Sequence, residues 1–364
     1  MRQHDRIVEE WEARLVVFVC AGCGAVLTAR VSQVALPDHA DQKYGHDLLP
    51  ALLEPGTYTV RSEPSGPPWR VWDEVGADEA EARGVYLQVY SLSYGPPGMV
   101  GVTPGDVRGT ALIRERCDGL CCGLDERNGS NLACVKCGLA VATRIDDCGR
   151  WQVVWLDPRA VRPVSVEGRA RTLVGWEELR AAYPDTPPVE QPGWWSPRWE
   201  ASVAAALAHL LAVSGGQRIA VPDGPVAEAF RKALDTLLPP GPSARDLVLA
   251  GPGLSVAIAD IALVPRHPQT GESWPCGART VVPLATDVWM YMAFNDDRRL
   301  VPAAERMPDI VRRDDPPPLL PWRPFRPDVD VFLRTLARLP AAREPWLRAI
   351  YDQVEDHRYS LPCF

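Results

Sequence analysis

Lysine is almost missing from this chain: Lys43, Lys136 and Lys232 are the only three among 39 basic residues. The remainder is arginine, whose planar fork suits carboxylates and phosphates, but so broad a bias reflects a GC-rich genome before any binding task. Positive charge is in deficit as well, with 39 basic against 47 acidic residues and a net charge of −8. That balance argues against a surface that coats nucleic acid or anionic lipid, because phosphate contacts need local positive charge. A small basic face stays compatible with it. Long apolar runs are also lacking. Leu15–Ala29 and Ala201–Gly216, the latter interrupted by His209, fall short of the roughly twenty residues that span a bilayer. Glu9, Glu10 and Glu12 precede the first run, where a secretory signal would carry positive charge. No Gly-x-Ser-x-Gly elbow or His-Glu-x-x-His pair occurs, so two common hydrolytic signatures are absent. The expectation is a cytoplasmic protein with no membrane partner.

Proline, glycine and cysteine are plentiful, at 37, 28 and 10 of 364 residues. The first two predict many turns and short strands. The cysteines are patterned. Cys20-Ala-Gly-Cys23-Gly24, followed by Arg30-Val31, lines up with Cys134-Val-Lys-Cys137-Gly138, followed by Arg144-Ile145. A C-x-x-C pair brings two thiolates to one side of a tight turn, and the next glycine lets amide groups approach the sulfurs. Two such turns facing each other supply the four thiolates of a tetrahedral structural zinc site. A redox dithiol normally sits at a helix N-terminus beside a βαβ pattern, whereas a strand-like run (Leu15–Val19) precedes the first pair. Burial as small hydrophobes explains single cysteines and not two matched pairs.

These knuckles resemble the zinc-ribbon class, in which two C-x-x-C-G turns on β-hairpins share one ion. The resemblance covers the two hairpins alone and implies a local fold and a structural Zn2+, not an activity. The chain departs from a compact ribbon because residues 24–133 intervene between the knuckles. The expected metal ligands are Cys20, Cys23, Cys134 and Cys137. Cys117, Cys121, Cys122 and Cys148 crowd the second knuckle and offer a second or competing site. Adjacent cysteines point in different directions, so Cys121 and Cys122 are not both expected on one ion. Cys276 and Cys363 read as unpaired thiols.

The patterning predicts an α+β protein with a β-rich, zinc-bearing N-terminal half and an α+β C-terminal half. The first domain is placed at 1–183, with 24–133 inserted between the knuckles. A proline-rich linker follows at 184–198, then an α+β domain at 199–364 with a proline-rich strap at 314–327. Strands are expected at Arg14–Val19, Val26–Val34, Gly56–Val60, Val85–Leu92, Leu139–Ile145 and Trp151–Leu156. Helical spacing marks Trp199–Val213, with Ser196 as cap and Gly215-Gly216 as stop, and Pro225–Leu238. Two closing helices are expected at Val329–Leu339 and Arg343–Asp356.

Catalytic constellations are thin. His39 and His46 share a charged loop, and His267 and Glu272 could meet across a turn set by Pro268 and Gly271; each pair suits acid–base chemistry, but each reads first as an ordinary surface loop or turn. The leading expectation is a non-catalytic cytosolic protein whose zinc site fixes a surface for another protein. One alternative is nucleic-acid binding through Arg30, Arg144, Arg150 and Trp151. The other is a hydrolase using His39/His46 or His267/Glu272.

Overall fold

The computed structural model describes residues 15–182, 186–190, 193–242, 244–255, 259–295, 321, 323–358 and 360–364. The expected linker is described only in part, and most of the 314–327 strap lies outside the described residues. Two compact units result, which together give the α+β architecture expected. Among the described residues the first comprises 15–80, 89–174 and 268–271, and the second comprises 81–88, 175–267, 272–295 and most of 321–364.

The first unit is built on a nine-stranded sheet of Leu15–Cys20 (β1), Val31–Gln33 (β2), Thr57–Arg61 (β3), Met99–Val102 (β4), Thr110–Leu112 (β5), Leu132–Cys134 (β6), Ala140–Ile145 (β7), Val153–Leu156 (β8) and Val161–Ser165 (β9). The spatial order is β9-β1-β2-β3-β4-β8-β7-β6-β5. Every pairing is antiparallel except β2 with β3. Residues between the knuckles therefore contribute β2 to β5 and part of β6 to the same sheet that carries the knuckles.

Side chains alternate across a strand, so a strand covered on both faces reads as continuously apolar. β8 is such a strand. Val154 and Leu156 join Val16, Phe18, Leu27, Val31, Val102 and Val141 in one core. Val153 and Trp155 face the other way, into a second core with Leu49, Leu52, Leu53, Met99 and Trp151. Trp155 lies directly on Gly101 of β4, its register partner, where an added Cβ would come within 2.8 Å of the indole. The Arg61 guanidinium covers the same indole at 4.6 Å.

The second unit holds a four-stranded, wholly parallel sheet in sequential order: Ile219–Ala220 (β10), Arg245–Leu249 (β11), Ile261–Arg266 (β12) and Thr280–Ala285 (β13). Helix Pro197–Ser214 (α1) is buried over most of its circumference, with Trp199, Val203, Leu207, Leu210 and Leu211 at zero exposure. A helix apolar all round belongs in an interior, and its alanines let neighbours approach closely. The unit's other helices are Pro225–Leu237 (α2), Thr286–Phe294 (α3), Val329–Ala337 (α4) and Pro345–Asp356 (α5); α2 and α4 pack on α1, Trp199 of α1 meets Tyr291 of α3 edge-on at 5.5 Å, and α5 packs on α4. Gly215, at φ 62°, ends α1 as expected. Ser196 occupies the N-cap position, but its hydroxyl makes no capping bond, and Pro197 opens the helix instead. Within this unit Trp195 donates its Nε1–H to the Arg323 carbonyl (2.6 Å) and packs edge-on against Phe325.

Candidate metal centre

The two knuckles adopt one backbone conformation. In the first, Gly24 N–H donates to Cys20 O (2.9 Å) and Cys20 N–H donates to Ala25 O (2.8 Å). In the second, Gly138 N–H donates to Cys134 O and Cys134 N–H to Leu139 O, both at 2.8 Å. Gly24 and Gly138 have φ of 71° and 76°, a region that favours glycine because a Cβ would crowd the following carbonyl. The C-x-x-C-G repeat thus encodes one turn twice.

β1 and β6 stand second and eighth in the sheet order, so only a sheet curled on itself brings their ends together. It does so: Cys20 Sγ lies 3.6 Å from Cys137 Sγ, and Cys23 Sγ lies 3.7 Å from Cys134 Sγ. All four sulfurs fall within 4.8 Å of one another. The first cysteine of each knuckle faces the second of the other, which is approximate two-fold symmetry. Zinc–sulfur bonds near 2.3 Å in a tetrahedron require sulfur separations of about 3.8 Å. The observed spacing fits that shell and far exceeds the roughly 2.05 Å of a disulfide; all ten cysteines are free thiols.

Two of the four thiols are shifted in opposite directions. Burial pushes the Cys134 thiol up, but amide donors from Lys136 and Cys137 and the thiol of Cys23 outweigh it, and the group falls to about 7. At Cys137 the amide of Leu139 lowers, but the neighbouring thiols of Cys23 and Cys20 together with burial push the group up to about 12. One side of the cluster merges with the core, since Cys20 and Cys134 are buried in it. The other side faces solvent through Cys137 and exposed apolar side chains, Val26 (51%), Val135 (64%) and Leu139 (39%). Their closeness follows from the backbone: Val135 N–H donates to Gly109 O, and a Cβ on Gly109 would sit 2.8 Å from Val26 O.

The remaining cysteines divide. Cys117 is turned aside and its Sγ–H donates to Ile113 O (3.2 Å). Cys121 and Cys122 each approach Cys148 but fall in different ligand groups, the first with His46 and the second with Asp147, as expected of adjacent cysteines that point in different directions. His46 Nδ1 lies 3.4 Å from Cys148 Sγ and 3.7 Å from Cys121 Sγ. The cysteine spacing alone does not reveal this histidine, which arrives from a loop far away in the chain. Cys276 and Cys363 belong to neither group.

The other candidates are engaged elsewhere. His39 packs its ring 4.2 Å from Trp151. His267 is buried, edge-on to Trp176. It does meet Glu272 across the turn, through His267 N–H to the Glu272 carbonyl at 2.7 Å. Of the residues proposed for nucleic acid, Arg144 pairs with Asp146 (2.6 Å), Arg150 pairs with Glu126 (3.0 Å), and Trp151 is buried. Among the described residues no helix is long and apolar enough to cross a membrane. No protein-family model matches the chain, and no match was found among curated proteins or solved structures.

Proposed function

We propose that Cys20, Cys23, Cys134 and Cys137 hold one structural Zn2+ and that the protein is a non-catalytic, cytosolic module presenting the surface around this ion to another protein. Thiolate donors in a tetrahedral set select zinc or iron–sulfur chemistry, and a fully protein-ligated shell is the structural rather than the catalytic arrangement of zinc. Ten free thiols suit a reducing compartment.

The observation that carries the interaction reading is the exposed apolar set Val26, Val135 and Leu139 on the knuckles themselves. Side chains of this kind on turns fixed by a metal form a rigid, partly apolar contact surface. Pairing of Arg144 and Arg150 with carboxylates and burial of Trp151 weigh against nucleic acid as the partner. The test is affinity capture from the native host with wild type and with a Val135→Glu/Leu139→Glu variant. The proposal expects the variant to keep its zinc and thermal stability while losing a protein that wild type retains. Identical captured sets, or retention of nucleic acid that depends on these positions, would overturn it.

A further inference from the structure

Three chain segments that are remote in sequence meet on the first unit: 44–47, 120–124 and 146–149. Backbone hydrogen bonds tie them. Tyr44 N–H donates to Gly149 O (2.9 Å), and Gly149 N–H donates to Asp47 O (2.7 Å). Leu124 and Asp146 exchange both bonds at 3.0 and 2.9 Å. The buried Asp147 carboxylate adds a clamp, because its Oδ1 accepts from the N–H groups of both Cys122 and Cys148 at 2.9 Å. The segments are pressed together to a degree only glycine permits. A Cβ on Gly123 would stand 1.8 Å from Asp146 O, and one on Gly149, at φ +68°, would stand 2.3 Å from Gly45 O. These two glycines directly follow Cys122 and Cys148, as Gly24 and Gly138 follow Cys23 and Cys137.

This framework brings soft donors together. His46 Nδ1, Cys121 Sγ and Cys148 Sγ lie within 4.8 Å of one another, and Cys122 Sγ shares a second such group with Cys148 and Asp147. Contacts of 3.4 and 3.7 Å from the imidazole nitrogen to two sulfurs match the roughly 3.6 Å edge set by zinc–nitrogen bonds near 2.1 Å and zinc–sulfur bonds near 2.3 Å. An imidazole aimed at two thiols is superfluous to a disulfide and is what a mixed sulfur–nitrogen shell requires. The second shell is already in place, because the amides held by Asp147 fix the backbone of two cysteines. We infer that His46, Cys121 and Cys148 ligate a second Zn2+ ion at a solvent-facing site separate from the four-cysteine centre. The ion would staple the 44–47 loop and the 120–124 turn to the strand-end turn at 146–149.

Zinc stoichiometry of the purified full-length protein tests this, with His46→Ala, Cys148→Ser and Cys134→Ser measured in parallel. The inference predicts two ions in wild type and one in each single variant, and none in Cys134→Ser/Cys148→Ser. His46 is exposed, so His46→Ala folds and reports even where Cys148→Ser is poorly behaved. Cobalt substitution should likewise show thiolate–cobalt absorption reduced but not abolished in His46→Ala, because the four-cysteine centre keeps its ion. Metal content unchanged by both His46→Ala and Cys148→Ser overturns the inference, as does an intact mass showing Cys121 and Cys148 oxidised together in protein purified anaerobically. Wild type with one ion, lost in Cys148→Ser and kept in Cys134→Ser, would support this site while contradicting the four-cysteine centre, so the two readings fail separately.

Discussion

Single residues set the local chemistry in both units. Gly138 holds the second knuckle at φ 76°, where an alanine costs on the order of 1–2 kcal/mol. Gly138→Ala should therefore lower the thermal midpoint by several degrees, whereas Gly105→Ala, with open space around its Cβ, should leave it nearly unchanged; differential scanning calorimetry distinguishes the two. Glu200 offers a different residue-scale effect. It is buried beneath Arg323, with which it pairs at 2.8 Å. Burial nevertheless dominates and raises its carboxyl to about 8, with Arg323 pulling the other way. A carboxyl raised on folding holds its proton in the native state after the unfolded state has lost it. The resulting stability is fully present below the unfolded value near 4.3 and is lost as pH rises through about 8. Glu200→Gln removes this dependence, so its denaturant midpoint should change less between pH 5 and pH 8 than wild type's. An unchanged slope would refute the assignment.

At the scale of elements, α1 is the interior of the second unit. Leu207 is fully buried on it, and Leu207→Ala should cost about 2–5 kcal/mol, read from urea denaturation. The long helices were legible in the sequence because helical periodicity and glycine stops are local signals: 199–213 and 225–238 were expected, and Pro197–Ser214 and Pro225–Leu237 are observed. Strands were harder to read. β9 carries Arg162 and Pro163, which interrupt alternation, and as an edge strand it tolerates a proline. The expected strand Val26–Val34 shortens to β2, because Val26 and Thr28 make only isolated bridges, to Val19 and Val107. The expected strand Val85–Leu92 reduces to Ser91–Ser93, since Tyr86 gives its N–H to Ala337. That partner is invisible to local pattern. α3 follows directly from β13 and is rich in Val, Trp, Tyr and Phe, residues that read as strand.

For the molecule as a whole, the organising feature of the first unit is closure of the curled sheet by sulfur. The repeat at 20–24 and 134–138 disclosed which cysteines converge, because the two turns share a sequence and hence a conformation. It could not disclose His46, whose approach to Cys121 and Cys148 depends on the path of a loop rather than on spacing. An ion held between the ends of β1 and β6 would couple metal binding to folding of the sheet, since no such site exists in the unfolded chain. The most direct measurement is zinc content and thermal midpoint of Cys20→Ser and Cys134→Ser beside wild type. A shared centre predicts that each substitution removes the same single ion and lowers the midpoint to a similar degree, with the double variant losing no further metal. Metal lost from Cys134→Ser but retained in Cys20→Ser, or retained in both, would contradict it.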